Sequence, residues 1–416
     1  MRAGLSLALL ALSLVSHLSI ARWLEDHFAW VARNRRRTRA FAAALACVGP
    51  GLRFLAVYVG VARAASAYAL MEVAIVACAG SPLGVMKTLF WAYGALHERA
   101  RLAYSRRAVA KLAALPAPEG PRAAEALAAA IEERRDARIS RRLLIERTAG
   151  FALLGSSTTA IGWGIVRGRH AFELEEVVVK IPGLSPKLDG YTIAQISDVH
   201  AGLFVQEREL EEGLSLVRAM KPDLIVATGD LIDHDPEFCA LLARELSRLQ
   251  ARDGLYCIYG NHDYTTGRGA VAEALRRAGI PLLVNEGRVL RGGEGGGFAL
   301  LGLDELWGRR WGAEGPNLGR ALATVRPQDI PRIVLSHQPK TFDDHVGQVA
   351  LQLSGHTHGG QINPGFRPAD LVMPYVAGRY VKGGSTLWVN RGFGVAGPPS
   401  RVGAPPEVTK IVLVSG

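Results

Sequence analysis

Leu353–Ile362 has the sequence LSGHTHGGQI, in which His356 and His358 stand two residues apart among glycines. The apolar run VALQL, which overlaps its start, predicts a buried strand. The glycines favour a tight turn directly after that strand, because glycine adopts backbone conformations that other residues avoid. Two imidazoles held by such a turn at the end of a strand indicate a ligand site.

Four other predicted strands in the C-terminal half of the chain also end in residues that can bind a metal. These strands are YTIAQISD, DLIVATGD, GLYCIYGNHD and PRIVLSHQP. With the LSGHTHGG strand they carry Asp198 and His200, Asp230, Asn261 and His262, His337, and His356 and His358. Ligands of α/β domains bind outside the carboxyl ends of the strands, so we expect these side chains to converge at one edge.

The same region alternates strands with amphipathic helices from end to end. Helices are predicted over residues 206–222, 236–251, 269–279 and 318–325. Further strands are predicted at EEVVVKI, PLLV, TLWVNRG and VTKIVLV. Residues 171–416 are therefore predicted to form one α/β domain.

The residue types at the strand ends favour divalent metals and phosphate chemistry. Carboxylates, imidazoles and an amide oxygen suit Mn, Fe or Zn. One carboxylate can bridge two ions about 3.5–4 Å apart, and such a pair clamps phosphoryl oxygens and supplies a hydroxide at neutral pH. A nucleic-acid-binding function is not expected for residues 171–416, because their 25 basic residues are outnumbered by 28 acidic ones.

The ordered set SDVHAG, TGDLID, YGNHDY, LSHQP and SGHTHGG resembles the calcineurin-like metallophosphoesterases over roughly Tyr191–Val414. The elements GHTHGGQI, NRGFG and PPEVTKIVL also resemble the membrane-anchored branch of that family. The resemblance implies a four-layer α/β/β/α sandwich of two mixed sheets. All five family elements are present in order, so the resemblance also implies an active enzyme.

Carried over by motif position, the resemblance implies a role for each strand-end residue. Asp198, His200 and His358 would bind the first metal. Asn261, His337 and His356 would bind the second, and Asp230 would bridge both. His262 would bind no metal but would stabilise or protonate the leaving oxygen, and Asp233 would orient His262. A hydroxide bridging the metals would attack phosphorus.

Two functions of different classes remain open at this point. One is a metal-dependent phosphoric ester hydrolase, acting on a phosphomonoester or as a phosphodiesterase, on a phospholipid-like or lipid-linked substrate or on a nucleotide. The other is a membrane receptor or scaffold that uses the metal domain for binding only. His262 and Asp233 favour the hydrolase, because a binding site needs no leaving-group acid. The oligomeric state is left open.

Several residues near the motifs have two interpretations each. Asp263 can pair with a ligand or shape the turn, and Tyr264 can touch substrate or pack in the core. The loop DELWGRRWG can form a lipid- or phosphate-facing lip, or its tryptophans can belong to the core. Arg391 and Arg401 can grip a phosphate or form structural ion pairs.

The N-terminal region differs from the rest in charge and hydropathy. Residues 1–170 hold 24 basic and 10 acidic residues. Four apolar segments there approach the about 20 residues that a membrane helix needs. They are Ala3–Ile20, Phe41–Val61, Ala67–Leu96 and Ala149–Val166. We expect residues 1–170 to form an all-α transmembrane region, and a cleaved signal peptide is the alternative for the first segment.

The arginines set the expected orientation of these spans. RNRRRTR lies between the first and second spans, and the basic loop of residues 97–147 lies between the third and fourth. Both loops are therefore predicted to be cytoplasmic, which puts residues 171–416 on the other side. An integral protein of the bacterial inner membrane with an extracytoplasmic catalytic domain is expected. That location would permit a Cys239–Cys257 disulfide, which the sequence leaves undecided.

Overall fold

The computed structural model describes residues 2–58, 121–293, 297–327 and 329–416, with isolated positions between 76 and 95. The described residues up to Thr159 form one compact unit, and those from Ala160 onward form a second. The described residues of the first unit are helical apart from Phe28 and Asn34, which separate consecutive helices. Its elements are α1 (Arg2–His27), α2 (Ala29–Arg33), α3 (Arg35–Tyr58) and most of α4 (Pro121–Val166).

Helix α4 differs from the expected separation into a charged loop helix and a final span. It runs for 46 residues without a break. The reason is local, because Pro121 is followed by Ala, Leu, Glu and Arg, which favour helix, and the next glycine is Gly150. The basic loop predicted over residues 97–147 is therefore helical from Pro121 onward.

The structure describes the four predicted spans to different extents. Leu144–His170 is one stretch, among the residues described, that is long and apolar enough to cross a membrane. It contains the fourth predicted span. The first and second fall largely in helices α1 and α3, which pack against each other. The third lies outside the described residues except at isolated helical positions, so the number of spans stays a prediction.

The second unit contains strands and short helices in alternation. Its strands are β1 (Glu173–Ile181), β2 (Tyr191–Ile196), β3 (Leu224–Thr228), β4 (Leu255–Ile258), β5 (Glu286–Leu290), β6 (Phe298–Gly302), β7 (Arg332–Leu335), β8 (Leu351–Ser354), β9 (Gly378–Lys382), β10 (Ser385–Val389) and β11 (Glu407–Ser415). Its α-helices after α4 are α5 (Glu207–Met220), α6 (Cys239–Ser247), α7 (Asn261–Thr266), α8 (Arg268–Arg277), α9 (Leu318–Ala323) and α10 (Phe342–His345).

The strands form two mixed sheets. The first has the order β1-β11-β2-β3-β4, in which β11 and β2 are antiparallel and the other neighbours are parallel. The second has the order β5-β6-β7-β8-β10-β9, with antiparallel pairs at both edges and parallel pairs between them. Parallel neighbours bring the ends of β2, β3 and β4 to one edge, and likewise the ends of β7 and β8.

Three apolar clusters define four layers. Between the sheets, residues of β2 and β3 such as Ile193 and Leu224 pack with Phe298 and Leu351 of the second sheet. The outer face of the first sheet is covered by α5, α6 and α8, and that of the second by α9. The predicted α/β/β/α sandwich of two mixed sheets is confirmed.

The segment PLLV, predicted as a strand, forms a single bridge from Leu282 to Cys257 of β4. The chain turns away at Asn285, which has a left-handed φ of 53°. The Asn285 side-chain oxygen accepts the N–H groups of Asp304 and Asn317 and so directs the chain into the second sheet. Strand β5 begins directly afterwards. Neither β5 nor the edge strand β9 was predicted, because neither segment has a clear alternation of apolar and polar residues.

Candidate metal centre

The predicted site residues all lie in the turns that follow strands. Asp198 and His200 follow β2, Asp230 follows β3, and Asn261 and His262 begin α7 shortly after β4. The second sheet contributes the remaining three histidines, which follow β7 and β8: His337, His356 and His358. The two sheets thus supply side chains to one cluster.

Five of these residues have left-handed backbone conformations. The φ angles of Asp198, His200, Asp230, His356 and His358 lie between 49° and 72°. Non-glycine residues rarely adopt this region, and such strain concentrates at functional sites. Backbone hydrogen bonds between neighbouring turns support it, such as those from the N–H of Asp198 to Gly229 and from the N–H of His200 to Asp230.

Asp198, His200 and His358 form a first buried group. The Nε2 atoms of His200 and His358 are 3.1 Å apart, and His358 Nε2 lies 3.4 Å from Asp198 Oδ1. Two ligands that bind one ion at 2.0–2.2 Å lie on the order of 3 Å from each other. These three side chains therefore fit a single metal ion, with all their ligand atoms within 4.8 Å of one another.

Asp230, His337 and His356 form a second group of the same kind. His337 Nδ1 lies 2.8 Å from the Thr228 carbonyl, which favours a proton on Nδ1 and leaves Nε2, 3.3 Å from Asp230 Oδ2, able to bind a metal. Asp230 Oδ2 is also 3.5 Å from His200 Nε2, so this carboxylate lies between the two groups.

Two buried atoms beside the second group are unsatisfied. Within the described part of the chain, Asn261 Oδ1 and His356 Nδ1 have no hydrogen-bond partner. An unpaired buried polar atom costs about 1–3 kcal/mol. A cation satisfies both, because an amide oxygen and an imidazole nitrogen each offer a lone pair. The residues present therefore fit a second metal ion.

His262 and Asp233 form a pair at the edge of the two groups. His262 Nδ1 is 2.8 Å from Asp233 Oδ1, and the backbone N–H of His262 donates to Asp230 Oδ1 at 2.7 Å. The imidazole rings of His262 and His200 meet edge to face with centroids 4.6 Å apart. His262 is about a quarter exposed, so its Nε2 edge is available to a ligand from solvent.

The histidines of the cluster have pKa values shifted in both directions. Burial opposes protonation of His337, but Asp230 outweighs it and raises the pKa of His337 well above its usual value. Burial opposes protonation of His262, but Asp230 and Asp233 outweigh it and raise its pKa to about 9. Burial, reinforced by the charge of His337, lowers the pKa of His356 to about 3. Burial, with His200 nearby, likewise lowers the pKa of His358 well below its usual value. Neutral imidazoles of this kind are the form that binds metal.

Asp263 and Tyr264 each had two possible roles from the sequence, and their contacts distinguish between them. Asp263 shapes the turn, because its carboxylate accepts the N–H groups of Gly260, Leu231 and Ile232. Tyr264 donates from its hydroxyl to Asp304 and packs in the core.

The loop tryptophans and the two arginines have separate roles. The Trp307 ring meets the His356 ring edge to face at 5.6 Å, so it lines the site, whereas Trp311 packs on Tyr264. Arg391 pairs with Glu407. Arg401 is buried, donates to four backbone carbonyls and lies 3.2 Å from His358 Nδ1.

Sequence reasoning missed the residues that back His337. Glu305 is buried just after β6, and its Oε1 accepts from Gln338 Nε2 at 2.5 Å. Gln338 follows His337 in the chain. The sequence LGLDEL could have indicated Glu305, because this residue follows a strand just as the predicted metal ligands do. The open question of a disulfide is also answered, since Cys239 and Cys257 are free, buried thiols.

The sequence of this chain is similar to those of known proteins. The sequence profile of the calcineurin-like phosphoesterase family matches residues 191–360. An uncharacterised metallophosphoesterase of Bacillus subtilis is 33% identical over 291 residues, which cover 67% of this chain and 99% of that protein. A Danio rerio protein named as a transmembrane protein with a metallophosphoesterase domain is 32% identical over 64% of this chain and 63% of its own length. On this similarity, and with the strand-end cluster that the fold assembles, the chain belongs to the calcineurin-like phosphoesterase family.

Proposed function

We propose that this protein is a membrane-anchored phosphoesterase with two divalent metal ions, which hydrolyses a phosphomonoester or a phosphodiester. Family membership implies a metal-dependent phosphoester hydrolase. The observation that supports catalysis at this site is the His262–Asp233 pair, which lies beside both ligand groups. A receptor or scaffold that only binds metal has no use for a histidine that an aspartate holds at the edge of the site.

Seven residues are proposed to hold the metals. Asp198, His200 and His358 would hold one ion, Asn261, His337 and His356 would hold the other, and Asp230, which lies between the two groups, would serve both. The donors are carboxylates, imidazoles and an amide oxygen, which suit Mn, Fe or Zn. Bound there, two such ions would neutralise phosphoryl charge and supply a nucleophilic hydroxide at neutral pH.

His262 is proposed to donate a proton to the leaving oxygen. Asp233 holds His262 Nδ1 at 2.8 Å, which points the opposite nitrogen away from that carboxylate. The carboxylate of Asp233 also favours the protonated ring, since Asp233 contributes to the raised pKa of His262. Asp233 acts as a positioning residue, since it fixes the ring and stabilises its charge without meeting the substrate.

His262→Ala tests the assignment with two diesters that differ in leaving group. We expect the full-length variant to keep its metals and to lose about 10²–10⁴ in rate with a phenyl ester. The loss should be smaller with the p-nitrophenyl ester, because p-nitrophenolate leaves without protonation more readily. Metal content is measured by plasma mass spectrometry and turnover with Mn²⁺ or with chelator.

His170→Ala is the matched control for that experiment. His170 also pairs with a carboxylate, at 2.7 Å from Glu212 Oε2, but that pair joins the start of the domain to α5 and not to the metal ligands. Its turnover should equal that of the parent protein. Full activity of His262→Ala on both esters would show that another group supplies the proton.

Membrane anchoring and a substrate at the bilayer belong to the same proposal. The candidate span Leu144–His170 leads directly into β1. The arginine-rich segments favour an extracytoplasmic catalytic domain in a bacterial inner membrane. A domain tethered so closely would meet phospholipid-like or lipid-linked phosphate esters first. Comparing turnover on a lipid phosphodiester with that on a free nucleotide separates the two substrate classes.

A further inference from the structure

An exposed apolar surface lies on the loop of residues 362–376, called here the tip loop. Phe366 is 60% exposed, Leu371 and Val372 are each 80% exposed, and Met373 is 39% exposed. Among described residues from 171 to 416, these are four of the seven large hydrophobic side chains that are exposed. Single exposed apolar residues are ordinary, whereas a cluster of them marks an interaction surface.

The tip is a defined turn that holds these side chains outward. Arg367 Nε lies 2.9 Å from both carboxylate oxygens of Asp370. The backbone N–H of Met373 donates to the Ala369 carbonyl at 2.9 Å. The charges of the tip thus neutralise each other, and much of its backbone polarity is satisfied internally. Both features lower the cost of moving the tip out of water.

Both ends of the tip loop are attached to the two-histidine motif. At the start, Asn363 Nδ2 donates to the Gly359 carbonyl at 3.0 Å. At the end, Thr357 Oγ1 donates to the Val376 carbonyl at 2.5 Å. Thr357 lies between His356 and His358, so the tip has a fixed position at the rim of the metal site.

The base of the tip loop is also linked to the end of the candidate span. Asn363 N donates to the Val402 carbonyl at 2.7 Å. The same short segment meets α4, because Ser400 Oγ donates to Ile161 O at 3.1 Å and the N–H of Arg401 donates to Gly164 O. Within the second unit, the tip loop and the last turns of the apolar helix therefore share one support.

We propose that the tip loop inserts Phe366, Leu371, Val372 and Met373 into the surface of the bilayer that α4 crosses. The insertion would place the metal centre at the level of the lipid headgroups. The substrate of the metal centre would then be a phosphate ester embedded in the membrane. Continuity with the apolar helix favours lipid over a protein partner as the occupant. The proposal rests on the membrane anchoring of the proposed function.

Lipid contact is tested by a fluorescent label on the full-length protein in phosphatidylcholine nanodiscs, with chelator present so that no turnover occurs. The label is attached at Leu371→Cys in a chain in which Cys47 and Cys78 are serine. We expect spin-labelled phosphatidylcholine to quench it at least about two-fold, and aqueous iodide to quench it little, because the tip lies among acyl chains.

Two reference positions make the result interpretable. Phe151→Cys lies within the candidate span at an exposed position, and its label should be quenched by the lipid. Val178→Cys is an exposed aliphatic position on β1, and its label should be quenched by iodide alone.

Each of the other outcomes would contradict one part of the proposal: insertion of the tip loop, specificity of the lipid contact, or membrane anchoring. A tip label that iodide quenches and lipid does not would refute insertion. A tip label that neither reagent quenches would indicate a protein partner or a second copy of the chain, and would also refute it. Lipid quenching at Val178 would show that the contact is not specific to the tip. Failure at Phe151 would refute membrane anchoring itself, separately from catalysis, which the chelator keeps out of the measurement.

Discussion

Left-handed backbone conformations at five of the seven proposed metal ligands are costly for this chain. Each costs roughly 1–2 kcal/mol for a residue with a Cβ. Several buried ligand atoms there are also left without a hydrogen-bond partner, among them Asn261 Oδ1, His337 Nε2 and His356 Nδ1. Strain of this kind persists where the surrounding structure enforces a geometry that serves binding or catalysis. The ligand turns therefore fit a preorganised metal centre better than a packing device.

Asp230→Asn should remove metal without dismantling the turn. The substituted amide keeps an oxygen that can accept the backbone N–H of His262, which donates to Asp230 Oδ1 at 2.7 Å. It removes the negative charge between the two ligand groups, and a neutral amide is a weaker ligand for a divalent ion. Plasma mass spectrometry should find fewer than two metals per chain, with an unchanged circular dichroism spectrum. Two metals bound with parental affinity would rule out the bridging role.

The positions of the strand-end residues could be predicted, because an α/β sheet brings the carboxyl ends of its parallel strands together. Asp198, Asp230 and Asn261, which follow neighbouring parallel strands of the first sheet, could be placed at one edge on that rule alone. The support around them could not be. Asp263 binding three backbone N–H groups, and Trp307 standing against His356, depend on how loops fold over the site. Loop conformation has no period in the sequence.

At the scale of elements, the turn after β8 is fitted closely against the turn after β2. A Cβ at Gly355 would lie 1.9 Å from Ser197 Oγ and 2.1 Å from Asp198 Oδ2. Gly355→Ala should therefore push the two ligand turns apart, lowering stability by about 1–3 kcal/mol and weakening metal binding. Thermal unfolding with and without metal measures both effects.

Gly269→Ala is the matched control for that change. Gly269 lies in α8, and a Cβ there meets nothing within 4 Å. Alanine favours helix over glycine, so the melting temperature should stay the same or rise slightly. Equal effects of the two substitutions would show that the closeness of the β8 and β2 turns is not what holds the metal ligands.

The elements themselves could be predicted where their periodicity was strong. Strands such as LIVAT and RIVL are largely apolar runs, and α5 repeats its apolar residues at helical spacing. The segment PLLV failed because Asn285 ends the pairing after a single bridge. The sequence predicted two separate helices where α4 is continuous. Its charged stretch and its apolar stretch suggest two environments, although both favour helix.

At the scale of the whole molecule, charge and hydropathy divide the chain where its structure does. The basic excess belongs to residues 1–170, and the compact units meet in sequence at Thr159 and Ala160. The composition of each part suits a different solvent. A basic, apolar region fits a membrane with cytoplasmic loops, and a slightly acidic α/β unit fits water.

That division predicts the topology of the protein. With four spans and both basic segments in the cytoplasm, Gly416 should lie outside the inner membrane. Alkaline phosphatase fused after Gly416 should be active in a bacterial host, and green fluorescent protein fused there should be dark. The same fusions placed after Gly120, within the predicted cytoplasmic loop, should give the reverse pattern. A fluorescent fusion at Gly416 would mean an odd number of spans or an inverted orientation, and would move the metal centre to the cytoplasmic face.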